Sequence, residues 1–182
     1  MVYLKKDIIL IEGGLATANN AIFQGKYKKV SHGLYVDQDQ YISELEQLFA
    51  RYPRATLTLQ SAFEYYDLSD YIPEHYYIAT PYNSHTIQNK KVKQFYMDEK
   101  IMEIGRVKVE TKYGCIFIFD KERMLIELFR LKNKFSHSYF METVQTYRVL
   151  KNLNLISLSK ISDYCLRMPK GEKIIKQIQE MI

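Results

Sequence analysis

The 182-residue chain is short of cysteine, of glycine and of long apolar runs, and each shortage closes off a class of protein. Its two cysteines, Cys115 and Cys165, lie far apart with no C-x-x-C spacing, so two buried, reduced thiols are expected rather than a disulfide framework. The longest strictly apolar run, residues 115–119 (CIFIF), falls far below the ~20 residues that cross a bilayer as a helix. The opening MVYLKKD is followed by only a brief apolar stretch at residues 8–11, which lacks the central region of a signal peptide. A cytoplasmic protein with no membrane partner is the expectation. The seven glycines are scattered, so neither G-x-G-x-x-G nor a phosphate-cradling G-x-x-x-x-G-K-[ST] occurs. His32, His75, His85 and His137 show no H-x-x-x-H or H-x-H pairing, and no cysteine stands at ligand spacing from them. No metal and no cofactor are therefore expected.

What is present points to a folded, mildly basic protein. Apolar residues make up 47% of the chain, with 16 Tyr and 9 Phe, enough to bury a real core and to argue against disorder. The net charge is +5 and the sequence pI about 9.0, a balance that permits nucleic-acid binding without demanding it. Much of the excess sits early. Residues 1–36 hold five lysines against Asp7 and Glu12, a net of +3.

Read along the chain, residues 4–11 form a short helix closed by Gly13-Gly14, since glycine readily adopts the helix-ending conformation. Thr17 is placed to cap a second helix running to Gly25. Residues 26–30 and 34–36 then flank Ser31-His32-Gly33 as a β-hairpin. The polar run at 37–40 (DQDQ) is the best domain boundary. Helices are expected over residues 41–50 and 58–66, and a strand over 76–80 after Pro73. The stretch 82–91 reads as an exposed loop and 95–97 as a short strand. A hairpin is expected from residues 106–111 and 115–119 about Tyr113-Gly114. From Asp120 onward the pattern is helical, over residues 121–131, 139–150, 158–166 (after a Ser157 cap) and 172–181. Strands in the middle with helices segregated behind them predict an α+β fold.

Several residue sets carry possible chemistry. Glu110-Thr111-Lys112 matches the E-x-K core of some metal-dependent nucleases, in which a carboxylate holds Mg²⁺ and a lysine on the same strand face helps activate water, with Asp98 as the nearest upstream acid. The same spacing also arises on any charged, solvated strand. Ser136-His137-Ser138 has the residue types of a nucleophile and base, but sequence neighbours rarely adopt triad geometry. Asp120-Lys121-Glu122-Arg123 opens a helix, where acids are favoured electrostatically and local ion pairs form. The N-terminal segment is more telling. A helix pair followed by a hairpin matches a winged helix-turn-helix, with Asn19 and Asn20 set to read base edges and Lys26, Lys28, Lys29 and His32 to hold phosphates. A basic hairpin that merely keeps a sheet edge soluble gives the same pattern.

Three blocks then resemble one family. Residues 13–36, with Gly25-Lys26-Tyr27-Lys28-Lys29-Val30-Ser31-His32-Gly33-Leu34-Tyr35-Val36, resemble the "G-x-L-x-x-V-x-x-G-x-Y" wing of AbiEi-type antitoxins from bacterial toxin–antitoxin (abortive phage infection) systems. Ser61-Ala62-Phe63-Glu64-Tyr65-Tyr66-Asp67-Leu68, Ile72-Pro73 and Tyr77-Ile78-Ala79-Thr80-Pro81 are similar to that family's "S-A-L … G-L … I-P … I-A-T-P" stretch. Residues 116–123, ending in Glu122-Arg123, look like its strand-then-"E-R-T" junction, with Met124 where Thr is usual. The blocks fall in order over roughly residues 13–130.

The resemblance implies a non-catalytic antitoxin that neutralises a nucleotidyltransferase-type toxin and represses its own operon by binding promoter DNA. It assigns structural roles to Gly33, Tyr35, Pro73, Glu122 and Arg123. A full helix-turn-helix needs about 35–40 residues before its wing. Only 25 precede Lys26, so either the module is reduced to two helices or the chain begins inside the family's usual domain. The expected organisation is a shortened winged-helix segment over 1–36 and an α+β antitoxin domain over 40–182. The rival readings are a nuclease using Glu110 and Lys112, and a protein-interaction module that does not touch DNA.

Overall fold

The computed structural model describes residues 1–111 and 114–182; Lys112 and Tyr113, and with them the turn expected there, lie outside that set. Two compact units are present, Met1–Arg54 with Lys108–Phe117 and Ala55–Val107 with Ile118–Ile182. The α+β class expected from the sequence is observed.

The first unit opens with a strand the sequence did not announce, β1 (Val2–Leu4), followed by α1 (Lys5–Ile11) and α2 (Leu15–Phe23). Gly14, not Thr17, is the N-cap of α2; Thr17 sits inside the first turn and its Oγ1 donates to the carbonyls of Glu12 (2.6 Å) and Gly14 (2.9 Å). The hairpin is β2 (Tyr27–Ser31) and β3 (Leu34–Asp37), and β3 takes the centre of a three-stranded antiparallel sheet between β1 and β2. Tyr3, Lys29 and Tyr35 are register partners, as are Val2, Lys28 and Val36. Because side chains alternate along a strand, these two rows occupy opposite faces. Tyr3, Tyr27 and Tyr35 cluster with Ile8, Ala18 and Ala21 of the helix pair, while Leu34 and Val36 cluster with Val2, Leu4, Val30, Ile42 and Ala50. Ile42 and Ala50 thus hold the next segment in the same unit, and the polar break at 37–40 falls inside it. The helix that follows, α3 (Glu44–Arg51), starts three residues later than its apolar spacing suggests, because Ser43 and Glu46 form a capping box.

In the second unit β4 (Thr56–Leu57) leads into α4 (Leu59–Tyr65), then β5 (Tyr76–Pro81) and β6 (Val92–Met97). The short α5 (Glu99–Met102) follows, and β7 (Arg106–Thr111) and β8 (Gly114–Phe119), whose residues 108–111 and 114–117 count with the first unit, complete a mixed sheet in the order β6-β5-β4-β8-β7. β5 pairs with β6 in parallel and with β4 antiparallel, and β4 pairs with β8 in parallel. The helical half is α6 (Lys121–Arg130), a 3-10 turn (Lys132–Lys134), α7 (His137–Asn152), α8 (Leu158–Leu166) and α9 (Gly171–Met181). Cys165 is buried, and burial pushes its thiol pKa up; Cys115 is only half-buried, against the expectation of two buried thiols, and both are free.

Helix α6 packs against α4, α8 and α9 and is buried on nearly every side, from Arg123 through Phe129. Met124, Leu125, Ile126 and Leu128 are fully enclosed, each worth roughly 1.5–3 kcal/mol relative to exposure. Two charges are enclosed with them. Glu127 is buried, and its Oε1 accepts from Arg123 Nε (2.9 Å) and Nη2 (2.8 Å), while its Oε2 accepts from Arg130 Nε (2.9 Å) and Nη2 (2.5 Å). Arg123 spends its remaining donor, Nη1, on the carbonyls of Ile101 (2.7 Å) and Ile104 (2.9 Å). Its guanidinium lies 4.6 Å from the Phe119 ring centroid. Each ion is paired and hydrogen-bonded, the condition under which burial of charge is tolerated. Room for this comes from Gly105, whose φ is +71° and whose Cβ, were there one, would stand 2.5 Å from Arg123 Cβ.

Gly105→Ala is expected to cost roughly 2–4 kcal/mol, combining left-handed strain with overpacking. Arg123→Met is expected to cost about 3–5 kcal/mol by leaving Glu127 Oε1 and the carbonyls of Ile101 and Ile104 without their donors in the core, and Arg123→Met with Glu127→Met less than that. Urea unfolding of the three variants checks both expectations.

Candidate nucleic-acid interface

The interface proposed from the sequence lies wholly in the first unit. Ala18 and Ala21 turn α2 toward the tyrosine cluster. With their side buried, the 3.6-residue repeat puts Ala16, Asn19, Asn20 and Phe23 on one outward stripe, and all four are exposed. Phe23 is 92% exposed. Asn19 and Asn20 therefore lie on the outward side of α2, away from the sheet.

The four wing residues are exposed too, but they are not equivalent. Lys29 shares the sheet face that packs on α1 and α2, whereas Lys28 lies on the opposite face with Val36. Lys26 is engaged: its ammonium bonds to Glu12 Oε1 at 2.6 Å, and the Tyr27 hydroxyl donates to the same oxygen at 2.6 Å. Those bonds, from Lys26 first and then Tyr27, hold the Glu12 carboxyl below its ordinary pKa, and the Glu12 bond in turn raises that of Lys26. His32 lies at the turn, where Arg51 of α3 donates to its carbonyl and, at 3.1 Å, to Ser31 Oγ. Gly33 follows with φ +70° and nothing within 4 Å of its absent Cβ, so the turn needs its backbone freedom and not its smallness. Tyr35 is buried in the tyrosine cluster.

The remaining motif residues lie in the second unit. Pro73 stands in the coil before β5. Glu122 accepts from the Ser157 backbone N–H (3.0 Å) and from Lys160 (3.1 Å), and so ties the start of α6 to that of α8. Lys160 also bonds to Asp120 (3.0 Å), the acid that caps α6 through Arg123 N–H (2.8 Å). Burial pushes the Lys160 pKa down, but the hydrogen bonds to Asp120 and Glu122 outweigh it and the net shift is upward. Sequence reasoning found Glu122 and Arg123 and missed Glu127. Its signal was an acid four residues after an arginine inside an otherwise apolar helix, which takes the carboxylate into the core beside its partner.

The nuclease constellation gains little. Glu110 is largely exposed and ion-paired with Lys108, Asp98 caps α5 by accepting from Lys100 N–H, and Lys112 lies outside the described residues. Among the described residues no three His, Cys, Asp or Glu side chains are grouped to hold a metal ion. Ser136 is the N-cap of α7, with His137 as that helix's first residue.

No family model matches the chain, and no curated protein matches it. Among solved structures it is similar to the crystal structure of the RV2827C protein from Mycobacterium tuberculosis, with a TM-score of 0.56 and 13% identity over 97% of this chain and 71% of that one. At that identity the likeness shows the fold alone.

Gly33→Ala is expected to cost about 1–2 kcal/mol from backbone strain alone. Gly33→Asn should cost less, because asparagine tolerates the left-handed region. Thermal unfolding of the two variants separates them.

Proposed function

We propose that this chain is a non-catalytic, cytoplasmic antitoxin that binds the promoter DNA of its own operon and neutralises a nucleotidyltransferase-type toxin. The observation that carries the DNA-binding half is the outward stripe of α2, with Asn19 and Asn20 exposed, above a wing whose Lys29 faces the same side of the sheet. A helix offering short polar side chains to base edges, with lysines nearby to hold phosphates, is how such modules divide readout from positioning. The toxin-directed half rests on the resemblance to AbiEi-type antitoxins. That no helix among the described residues is long and apolar enough to cross a membrane is compatible with a cytoplasmic role.

A second reading has an observation of its own. Leu10 (80% exposed), Ile11, Leu15 and Phe23 leave the helix pair with apolar surface that a solvated helix does not need, as a protein-interaction module would. Fluorescence anisotropy against the native upstream duplex and a scrambled one, across ~50–200 mM salt, separates the two readings. A preference for the native duplex that survives higher salt supports the DNA-binding antitoxin. Equal, salt-labile binding to both duplexes favours the interaction module.

The two faces of the wing give a sharper expectation. Lys29→Ala should weaken binding to all sequences alike and reduce the salt slope by about 0.9, one phosphate contact, while Lys28→Ala leaves the slope unchanged. Equal effects of the two substitutions would put a different face of the wing on DNA. Rescue of cells from the product of an adjacent nucleotidyltransferase-like gene tests the toxin-directed half; no rescue on co-expression would remove it.

A further inference from the structure

The sheet of the second unit ends on an open strand. β6 stands at its edge and pairs, in parallel, with β5 alone. Tyr76 N–H donates to the Lys91 carbonyl (2.7 Å) and Tyr82 N–H to the Met97 carbonyl (3.1 Å). The odd-numbered residues of this stretch therefore turn their backbone groups toward β5, and the even-numbered ones turn theirs outward. Val92 N–H is taken by the Asn89 carbonyl at 3.0 Å. The outward N–H and C=O groups of Gln94 and Tyr96 have no partner among the described residues.

Neither flanking segment closes this edge. The loop before β6 lies over the face that carries the even-numbered side chains. There Gln94 accepts from Ile87 N–H (2.8 Å) and donates to the His85 carbonyl (3.2 Å), and the Thr86 and Tyr96 hydroxyls are 3.0 Å apart. After β6 the chain turns back, with α5 packed on β5, toward β7 at the opposite edge. A lysine on an edge strand ordinarily discourages pairing. Lys93 instead lies back over its own sheet, its ammonium 5.3 Å from the Tyr77 ring centroid and 3.4 Å from the Tyr77 hydroxyl.

The edge is complementary to itself. With a second β6 laid antiparallel and the Phe95 residues of the two copies opposed, Gln94 exchanges both backbone hydrogen bonds with the second copy's Tyr96, and the two-fold axis repeats the exchange. Every outward group of Gln94 and Tyr96 is then used, with no demand on Val92 N–H. The same register sets Lys93 opposite Met97 and Lys91 opposite Glu99, where unlike charges favour pairing. The start of the strand is basic (Lys90, Lys91, Lys93), and its end runs into Asp98-Glu99, with Lys100 one residue further inside α5. Antiparallel pairing brings these unlike ends together.

We propose that two copies of this chain pair antiparallel along β6, through Gln94 and Tyr96, and so join their five-stranded sheets into one. A two-fold contact uses the same edge on both copies, so the assembly closes at the dimer. One strand pair buries less than the ~1,200 Å² of a stable interface, so the dimer forms only at high chain concentration. The contact is independent of the wing and of any DNA reading.

The test is sedimentation velocity of the full chain from ~10 μM to ~1 mM, with residue-resolved amide hydrogen exchange at both ends of that range. A reversible monomer–dimer equilibrium is expected, with Gln94 and Tyr96 amides exchanging freely in dilute solution and slowly in concentrated solution. Tyr96→Pro removes an outward N–H and no bond to β5, a change that an edge strand tolerates. It should leave the chain monomeric throughout, with the thermal midpoint of the dilute protein unchanged. Lys91→Glu should weaken association about fivefold, and Lys91→Glu with Glu99→Lys should restore it, a comparison that does not depend on how the proline variant folds. A chain that stays monomeric at the highest concentration leaves the edge to water or to another protein and would overturn the proposal. So would protection of Gln94 and Tyr96 that ignores concentration, a Tyr96→Pro dimer as stable as the parent's, or a charge exchange that restores nothing.

Discussion

A carboxylate that water cannot reach organises the second unit. Glu127 is enclosed in α6, and a bare charge there would be intolerable in a low-dielectric interior. Its two oxygens are divided between two guanidiniums, and that division fixes much else. Arg123 must lie along the helix beside Glu127, so its far nitrogen reaches back to the carbonyls of Ile101 and Ile104. The chain passing above it must have no side chain at Gly105. The start of α6 is pinned in turn by Asp120, whose carboxylate caps the helix and accepts from Tyr164 OH (2.9 Å) and Lys160. The apolar side chains of α6, Met124, Leu125, Ile126, Leu128 and Phe129, are all buried. The ion cluster decides which way the helix is turned when that burial occurs.

The first unit is organised by a different constraint, the thinness of a three-stranded sheet with apolar residues on both faces. One face is tyrosine-rich and is covered by two short helices; the other is aliphatic and is covered by α3. Neither α1 nor α2 is long enough to be stable alone, so both depend on that tyrosine face for their existence. The outward side of α2 is then left to polar and apolar residues that the fold itself does not use.

Elements with a full period of apolar residues were legible in the sequence. α6 through α9, the wing hairpin and strands β5, β7 and β8 appear where patterning puts them. Elements shorter than one period were not: β1, β4 and α5 have two to four residues each and take their order from neighbours already in place. Boundaries shifted where a cap overrode hydrophobic spacing. The Ser43–Glu46 box moved the start of α3, and Gly14 took the capping place expected of Thr17. In the candidate interface, exposure of Asn19, Asn20 and the wing lysines follows from the sequence, but the separation of Lys28 from Lys29 does not. That depends on which face of β3 the helices cover, a tertiary choice. The buried Arg123–Glu127 pair shows the same limit, since charge in a sequence reads as surface until its partner is known.

Register errors offer another view of the wing. A slip of β2 by one residue against β3 would exchange the faces of Lys28 and Lys29, and the exchange would not be silent. Tyr27 would leave its place against Ile8, Ala18 and Ala21, and the bond from its hydroxyl to Glu12 would be lost with it. One aromatic side chain at the root of the hairpin thus acts as a proofreading key for the charges farther along it: the wing can present its lysines in the wrong order only by first pulling its own anchor.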